Sequence, residues 1–277
     1  MNRLHFLGLL IIAFLASACG GVNTQAISNL PDSDQTLLKE SNYKTLEYGQ
    51  FYVYYPSDSY TEDNHDDFEV SLQTALDNVK RTIGINSYDE TVHFIIFEDQ
   101  AQMSGYIQKP YWYYINPKAH IAYLVHNEQR EPYFTRTLFQ LAAVDNWGVP
   151  RADILAFGGA LFAKGICQDI TFFLDEVGAK LIRDRNYMNY RALFHNFIPA
   201  LTEAPVLGEI QAAVFFQFIF DNFGVDKVKQ LWQEGMSRLE GVVYMSPGEV
   251  ELEIMGRWRN YTPTTEVDWE KIKLEGC

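Results

Sequence analysis

The chain reads as an α+β protein: a small mixed β-sheet with a helix packed on it in the N-terminal half, followed by a mainly helical C-terminal half. Three observations predict this. Short alternating or β-branched runs recur before residue 126 and give way to helical spacing from Phe134 onward. Apolar residues make up 47% of the chain and aromatic residues 15%, enough to bury a large core and too many for a disordered polypeptide. There are no internal repeats and no low-complexity tracts, so the 277 residues form one large domain or two subdomains sharing a core.

Residues 1–18 have the parts of an export signal. Arg3 gives a positive start, Phe6 to Leu15 a short apolar run, and Ala16-Ser17-Ala18 small residues ahead of Cys19. The apolar run is well short of the roughly 20 residues that cross a bilayer as a helix, so it is read as cleaved rather than retained. The pattern resembles a bacterial lipoprotein signal, although Ala16 stands where leucine is usual and Leu15 is displaced by one; an ordinary secretory signal is the alternative. The resemblance implies that Cys19 is lipidated on thiol and amine, which gives the several acyl chains that stable anchoring needs. Gly20 follows the cysteine in place of the aspartate that retains lipoproteins in the inner membrane of enteric bacteria. The expected address is therefore the cell envelope, at the outer membrane.

Residues 19–45 are rich in Ser, Asn, Asp and Gln and are expected to be a flexible tether. A sheet-containing subdomain is expected over 46–145. Gln50 to Pro56 alternates with aromatic and β-branched residues and closes on proline, a strand. Asp66 to Ile83 places Phe68, Leu72, Ala75, Leu76 and Val79 at helical spacing, with acids at its start where the helix dipole favours them. Val92–Phe97 and Ala119–Val125 are further strands. Thr135 to Asp145, Ala152 to Lys164, Glu209 to Phe223 and Asp226 to Arg238 are helices, the last three within a helical subdomain over 146–277. Gly224 separates the final pair, and Ile210 to Phe223, apolar almost all round, reads as a buried central helix.

The formal net charge is −14, about −15 once Arg3 is removed. Such a surface repels phosphates and anionic headgroups, which argues against nucleic acid as a partner. With Cys19 lipidated, Cys167 and Cys277 remain in a compartment that permits disulfides. A bridge between them would be worth about 4 to 5 kcal/mol at most, and two free thiols are the alternative. No CxxC or Cys/His cluster suggests a metal, and there is no GxSxG elbow, Walker loop or GxGxxG, so no cofactor is expected. His120 and His126, placed in one strand, lie about 20 Å apart and cannot share an ion. His65 reads as a solvated helix start, His93 as a strand residue and His195 as a partly buried aromatic-segment residue. The tyrosine-rich stretch from Tyr106 to Tyr114 suits an exposed contact surface or a loop capping the core.

The order strand, helix, two strands, helical half is shared with gluzincin-type zinc metallopeptidases of the peptidase-MA-like group. Phe51-Tyr-Val-Tyr-Tyr-Pro56 resembles that group's opening strand and Thr91-Val-His-Phe-Ile-Ile-Phe-Glu-Asp-Gln100 its strand with an acidic turn. Val214 to Phe220, then Phe223-Gly224 and Val228 to Trp232, resembles its late helix, glycine and amphipathic helix, and Glu249 to Trp258 its closing helix. The similarity spans roughly residues 46 to 262, and the implied fold is zincin-like.

In active members HExxH supplies two zinc ligands and a general base from one helix, and a Glu followed by Gly on the next helix supplies the third ligand. The first motif falls on Arg136-Thr137-Leu138-Phe139-Gln140 and the second on Gly158-Gly159. Arg136 has no lone pair, Gln140 only a neutral amide, Thr137 no carboxylate and Gly158 no side chain. The resemblance therefore implies an inactive member with neither zinc nor a catalytic residue. If a cleft persists, Arg136, Gln140, Thr137 and Gly158 line it, and the Arg136 fork and Gln140 amide suit a carboxylate or peptide backbone. Alternatively, Arg136 pairs with an acid such as Asp153 or Glu209 and fills the vacated space. The expected function is a lipid-anchored envelope protein that binds or scaffolds a peptide or protein. The alternatives are an enzyme using another site, to which Asp153, Glu203 and Glu209 could contribute, and a purely structural envelope subunit.

Overall fold

A computed structural model describes residues 24–109, 111–165, 174–203, 205–264 and 268–269. Two short helices come first, α1 (Thr24–Ile27) and α2 (Asp32–Glu40), then a hairpin of β1 (Tyr43–Tyr48) and β2 (Phe51–Pro56). A single turn, α3 (Tyr60–Asp63), leads into α4 (Phe68–Ile83), followed by β3 (Val92–Phe97), α5 (Gln100–Ile107), β4 (Tyr113–Asn116) and β5 (Ile121–Val125). The remaining regular elements among the described residues are helical. They are α6 (Phe134–Trp147), α7 (Asp153–Lys164), α8 (Leu174–Arg183), α9 (Tyr190–Glu203), α10 (Pro205–Phe223), α11 (Val225–Glu234), α12 (Leu239–Val243) and α13 (Pro247–Arg259), with a 3₁₀ turn at Met236–Arg238. The α+β class is as the sequence predicts.

The sheet is mixed, in the order β1-β2-β3-β5-β4. The inner strands β2, β3 and β5 run parallel, and β1 and β4 close the two edges antiparallel. Both faces are covered, which is why the inner strands read as near-continuous apolar runs. Alternate residues divide between two cores. Phe51, Val53, Phe94, Ile96, Ala122 and Leu124 face α4, α6 and the helical half. Tyr54, Ile95, Phe97, Ile121, Tyr123 and Val125 face the other way.

Part of what covers that second face corrects the expected tether. Ile27, Leu30, Leu38 and Tyr43 are buried against it together with Met103 of α5. Within α2 most polar residues face solvent, but Asp34 is buried along with Leu38, and Leu37 is packed against the same core. The division at 145/146 also needs correction. It falls inside α6, and the inner core runs without a break from the sheet through α6, α7 and α10 to Trp258 of α13.

Other elements depart by a few residues or in kind. His120 is not in a strand: it turns into β5 with φ +48°, and β5 ends before His126. The stretch from Tyr106 to Tyr114 is split between α5 and β4, leaving Tyr111 and Trp112 exposed while Tyr106, Tyr113 and Tyr114 are half-buried. Gly224 takes φ +82° between α10 and α11, and its N–H donates to Phe220 O at 3.0 Å, closing one helix as the next begins. α13 starts on a capping box of Ser246 and Glu249.

Candidate functional site

α6 starts on the loop Glu131–Tyr133 and runs between α4 and α7. Its first turns carry Arg136, Thr137 and Gln140, all buried. Arg136 is 2% exposed, and Nη1 donates to Glu209 Oε2 on α10 at 2.6 Å. Its guanidinium lies 4.4 Å from the centre of the Tyr133 ring, within cation–π range. Burial disfavours the charge, but Glu209 and the hydroxyls of Tyr133 and Tyr113 outweigh that and hold Arg136 more firmly protonated than a free arginine. Nε and Nη2, and the nearby Tyr113 hydroxyl, are buried without a hydrogen-bond partner of acceptable geometry among the described residues. Thr137 is spent on its own helix, its hydroxyl donating toward Tyr133 O at 2.9 Å and Phe134 O at 3.2 Å.

The glycines of α7 complete the picture. A Cβ at Gly158 would lie 2.2 Å from Ala212 O of α10, and one at Gly159 would lie 2.3 Å from the Phe139 ring and 2.6 Å from Phe216. α7 is thus pressed against the α10 backbone at Gly158 and against the rings of Phe139 on α6 and Phe216 on α10 at Gly159. A glutamate at 158, the third zinc ligand of the gluzincins, has no room to leave its own backbone.

A zinc ion does not fit this arrangement. A buried cation, Arg136, stands where the resemblance would align the first histidine, and α10 backbone crowds Gly158, where it would align the third ligand. Among the described residues no group of three or more His, Cys, Asp or Glu is placed to hold a metal. Of the two expectations, a persisting cleft or a junction filled by Arg136 and an acid, the second holds: Arg136, Thr137, Gln140 and Gly158 are buried in the helical junction. Of the two acids named for Arg136, Glu209 is the partner; Asp153 is exposed at the start of α7. The Glu203 side chain lies outside the described residues, as do Cys19, Cys167 and Cys277.

Around this junction lie residues the sequence does not single out. Arg130 is buried, hydrogen-bonds the Tyr133 hydroxyl and lies 3.9 Å from the Trp112 ring centre. Tyr113 meets Tyr133 edge-on at 5.5 Å. A Glu-Pro dipeptide before a helix gives no hint that its neighbours will enclose a guanidinium contributed one turn later.

Three histidines serve structure, while His195, expected to be partly buried, is exposed. His93 Nδ1 is 3.0 Å from Tyr54 Oη, with its ring stacked on Tyr52 and Tyr54. His126 Nδ1 is 3.0 Å from Thr61 Oγ1. Burial lowers both to about 4, so each is neutral near pH 7. His120 Nε2 is 3.1 Å from Asp145 on α6, which also accepts from the Tyr88 hydroxyl at 2.7 Å, tying the sheet edge to the helix.

Neither a scan of protein-family models nor a search of curated protein sequences gives a match to this chain.

Proposed function

We propose that the protein is a lipid-anchored envelope lipoprotein carrying a zincin-like domain that performs no metallopeptidase chemistry and acts as a scaffold for a peptide or protein partner. The observation that carries the reading is the buried Arg136–Glu209 pair, on residues that the resemblance would align with the zinc site, together with the close packing of Gly158 on α10. The order β2, α3, α4, β3, α5, β4, β5, then α6 and α7, is compatible with the strand, helix, strands, helical-half order on which the resemblance rests. With the junction filled, a partner meets the outer surface. The exposed Tyr111 and Trp112, 47% and 36% accessible, are the aromatic side chains best suited to it.

The test combines metal analysis of the purified protein with a peptidase assay, with and without a chelator, and acyl labelling in cells. The reading expects sub-stoichiometric zinc, no chelator-sensitive cleavage, and palmitate incorporation that disappears in Cys19→Ala. Stoichiometric zinc or chelator-sensitive cleavage overturns the inactive domain; labelling that survives Cys19→Ala overturns the anchor.

A further inference from the structure

On the opposite face of the sheet from Arg136, three tyrosines surround a cavity of about 330 Å³ lined also by Ser33, Ile107 and Asn116. Tyr106 comes from α5, Tyr114 from the edge strand β4 and Tyr123 from β5. Tyr123 forms the centre, its ring 6.0 Å from Tyr106 and 6.1 Å from Tyr114. Behind it lies Asp34 in the first turn of α2, 1% exposed. Its carboxylate accepts from the Tyr106 hydroxyl at 2.6 Å and, through both oxygens, from the Tyr123 hydroxyl at 3.1 Å.

The hydrogen bonds fix what the cavity can offer. A phenol has one proton, and in Tyr106 and Tyr123 that proton is directed at Asp34. What these two side chains present elsewhere is chiefly their electron-rich ring faces, since Ser33 also hydrogen-bonds the Tyr106 hydroxyl. The carboxylate adds negative potential from inside, and the net charge of −14 adds it from outside. Tyr114 already draws a cation: the Lys109 ammonium sits 4.3 Å from its ring centre and donates to its hydroxyl at 3.2 Å, so a bound ammonium must displace Lys109.

We propose that the Tyr106–Tyr114–Tyr123 cavity is a binding site for a small organic ammonium group, held by cation–π contact and by the field of Asp34. The site is independent of the metallopeptidase resemblance. A quaternary ammonium suits it best, because its methyl groups match ring faces and need no donor-to-acceptor pairing. The cavity is at the small end of ligand pockets, the size of an ammonium compound of a few carbons.

The test is titration of the full-length protein in non-ionic detergent with choline and with its uncharged isostere 3,3-dimethyl-1-butanol, followed by calorimetry. Choline is expected to bind about tenfold or more tightly than the isostere. Tyr114→Phe, which keeps the ring, should preserve that preference, and Tyr114→Leu should abolish it. Equal binding of the two compounds, no binding of choline, or a preference that survives Tyr114→Leu overturns the proposal. Should Tyr114→Leu fail to fold, the isostere comparison on the unaltered protein still decides. Vesicles with and without phosphatidylcholine then separate the source: choline-competed vesicle binding assigns a lipid headgroup, and choline binding without vesicle binding assigns a soluble compound.

Discussion

Arg136 is the residue on which the reading turns, and its energetics are asymmetric. A buried ion pair adds little net stability over apolar residues of the same volume, yet removing one partner strands the other. Arg136→Ala leaves the mostly buried Glu209 carboxylate without its cation and is expected to cost about 3 to 5 kcal/mol. Arg136→Leu combined with Glu209→Leu should recover most of that loss, since two of the three unpartnered polar atoms at the junction, Nε and Nη2, go with the guanidinium. Denaturant unfolding of the single and double variants measures both values. A single variant as stable as the unaltered protein would mean that the pair does not fill the junction. That Arg136, Thr137, Gln140 and Gly158 offer neither a zinc ligand nor a general base was legible from residue types alone. The choice of Glu209 was not, because 73 residues separate it from Arg136 and Asp153 lies closer in sequence. Only the way α10 crosses α6 selects between them.

At the scale of elements, legibility followed periodicity only in part. α4 is legible to within two residues of its ends and α10 from a turn after its start, but α8, with Leu174, Val177 and Leu181 at helical spacing, and α9 are not among the expected helices. β1 and β4 were missed as strands. Each lies at a sheet edge with only one residue or none fully buried, so the alternation that marks a half-buried strand is absent. Nor does spacing show how closely two helices approach, which here is set by Gly158 and Gly159. Their Cβ atoms would meet, respectively, α10 backbone, which cannot rotate away, and two packed rings. Gly158→Ala should therefore force α7 off α10 and cost about 3 kcal/mol or more, at the upper end of overpacking. Gly256→Ala in α13, where nothing lies within 4 Å, should gain about 0.5 to 1 kcal/mol by removing helix-interior glycine. Thermal unfolding of the two variants reads the contrast. Equal shifts would mean that helix propensity, not the α7–α10 contact, governs both.

For the whole molecule, the α+β division was legible because the hydrophobic period changes near Phe134. The cover on the second face of the sheet was not. A polar, weakly periodic segment looks the same whether it floats or lies on a sheet, and Ile27, Leu30 and Leu38 are too few to raise a signal above it. The two readings of that segment make opposite demands on a chain that starts at Asn42. If residues 24–41 only connect the domain to its anchor, their removal leaves stability unchanged. If they cover Tyr54, Ile95 and Tyr123, removal exposes that face and strips Tyr106 and Tyr123 of their Asp34 acceptor. Burying an aliphatic side chain such as Ile27, Leu30 or Leu38 contributes about 1.5 to 3 kcal/mol as an upper estimate, so the total is comparable with the 5 to 15 kcal/mol that holds a typical domain together. The truncated chain should bind 8-anilinonaphthalene-1-sulfonate and unfold at markedly lower denaturant. It should also lose choline binding even at temperatures where its helical half stays folded, because that half packs on the other face of the sheet. An unchanged unfolding midpoint would restore the tether.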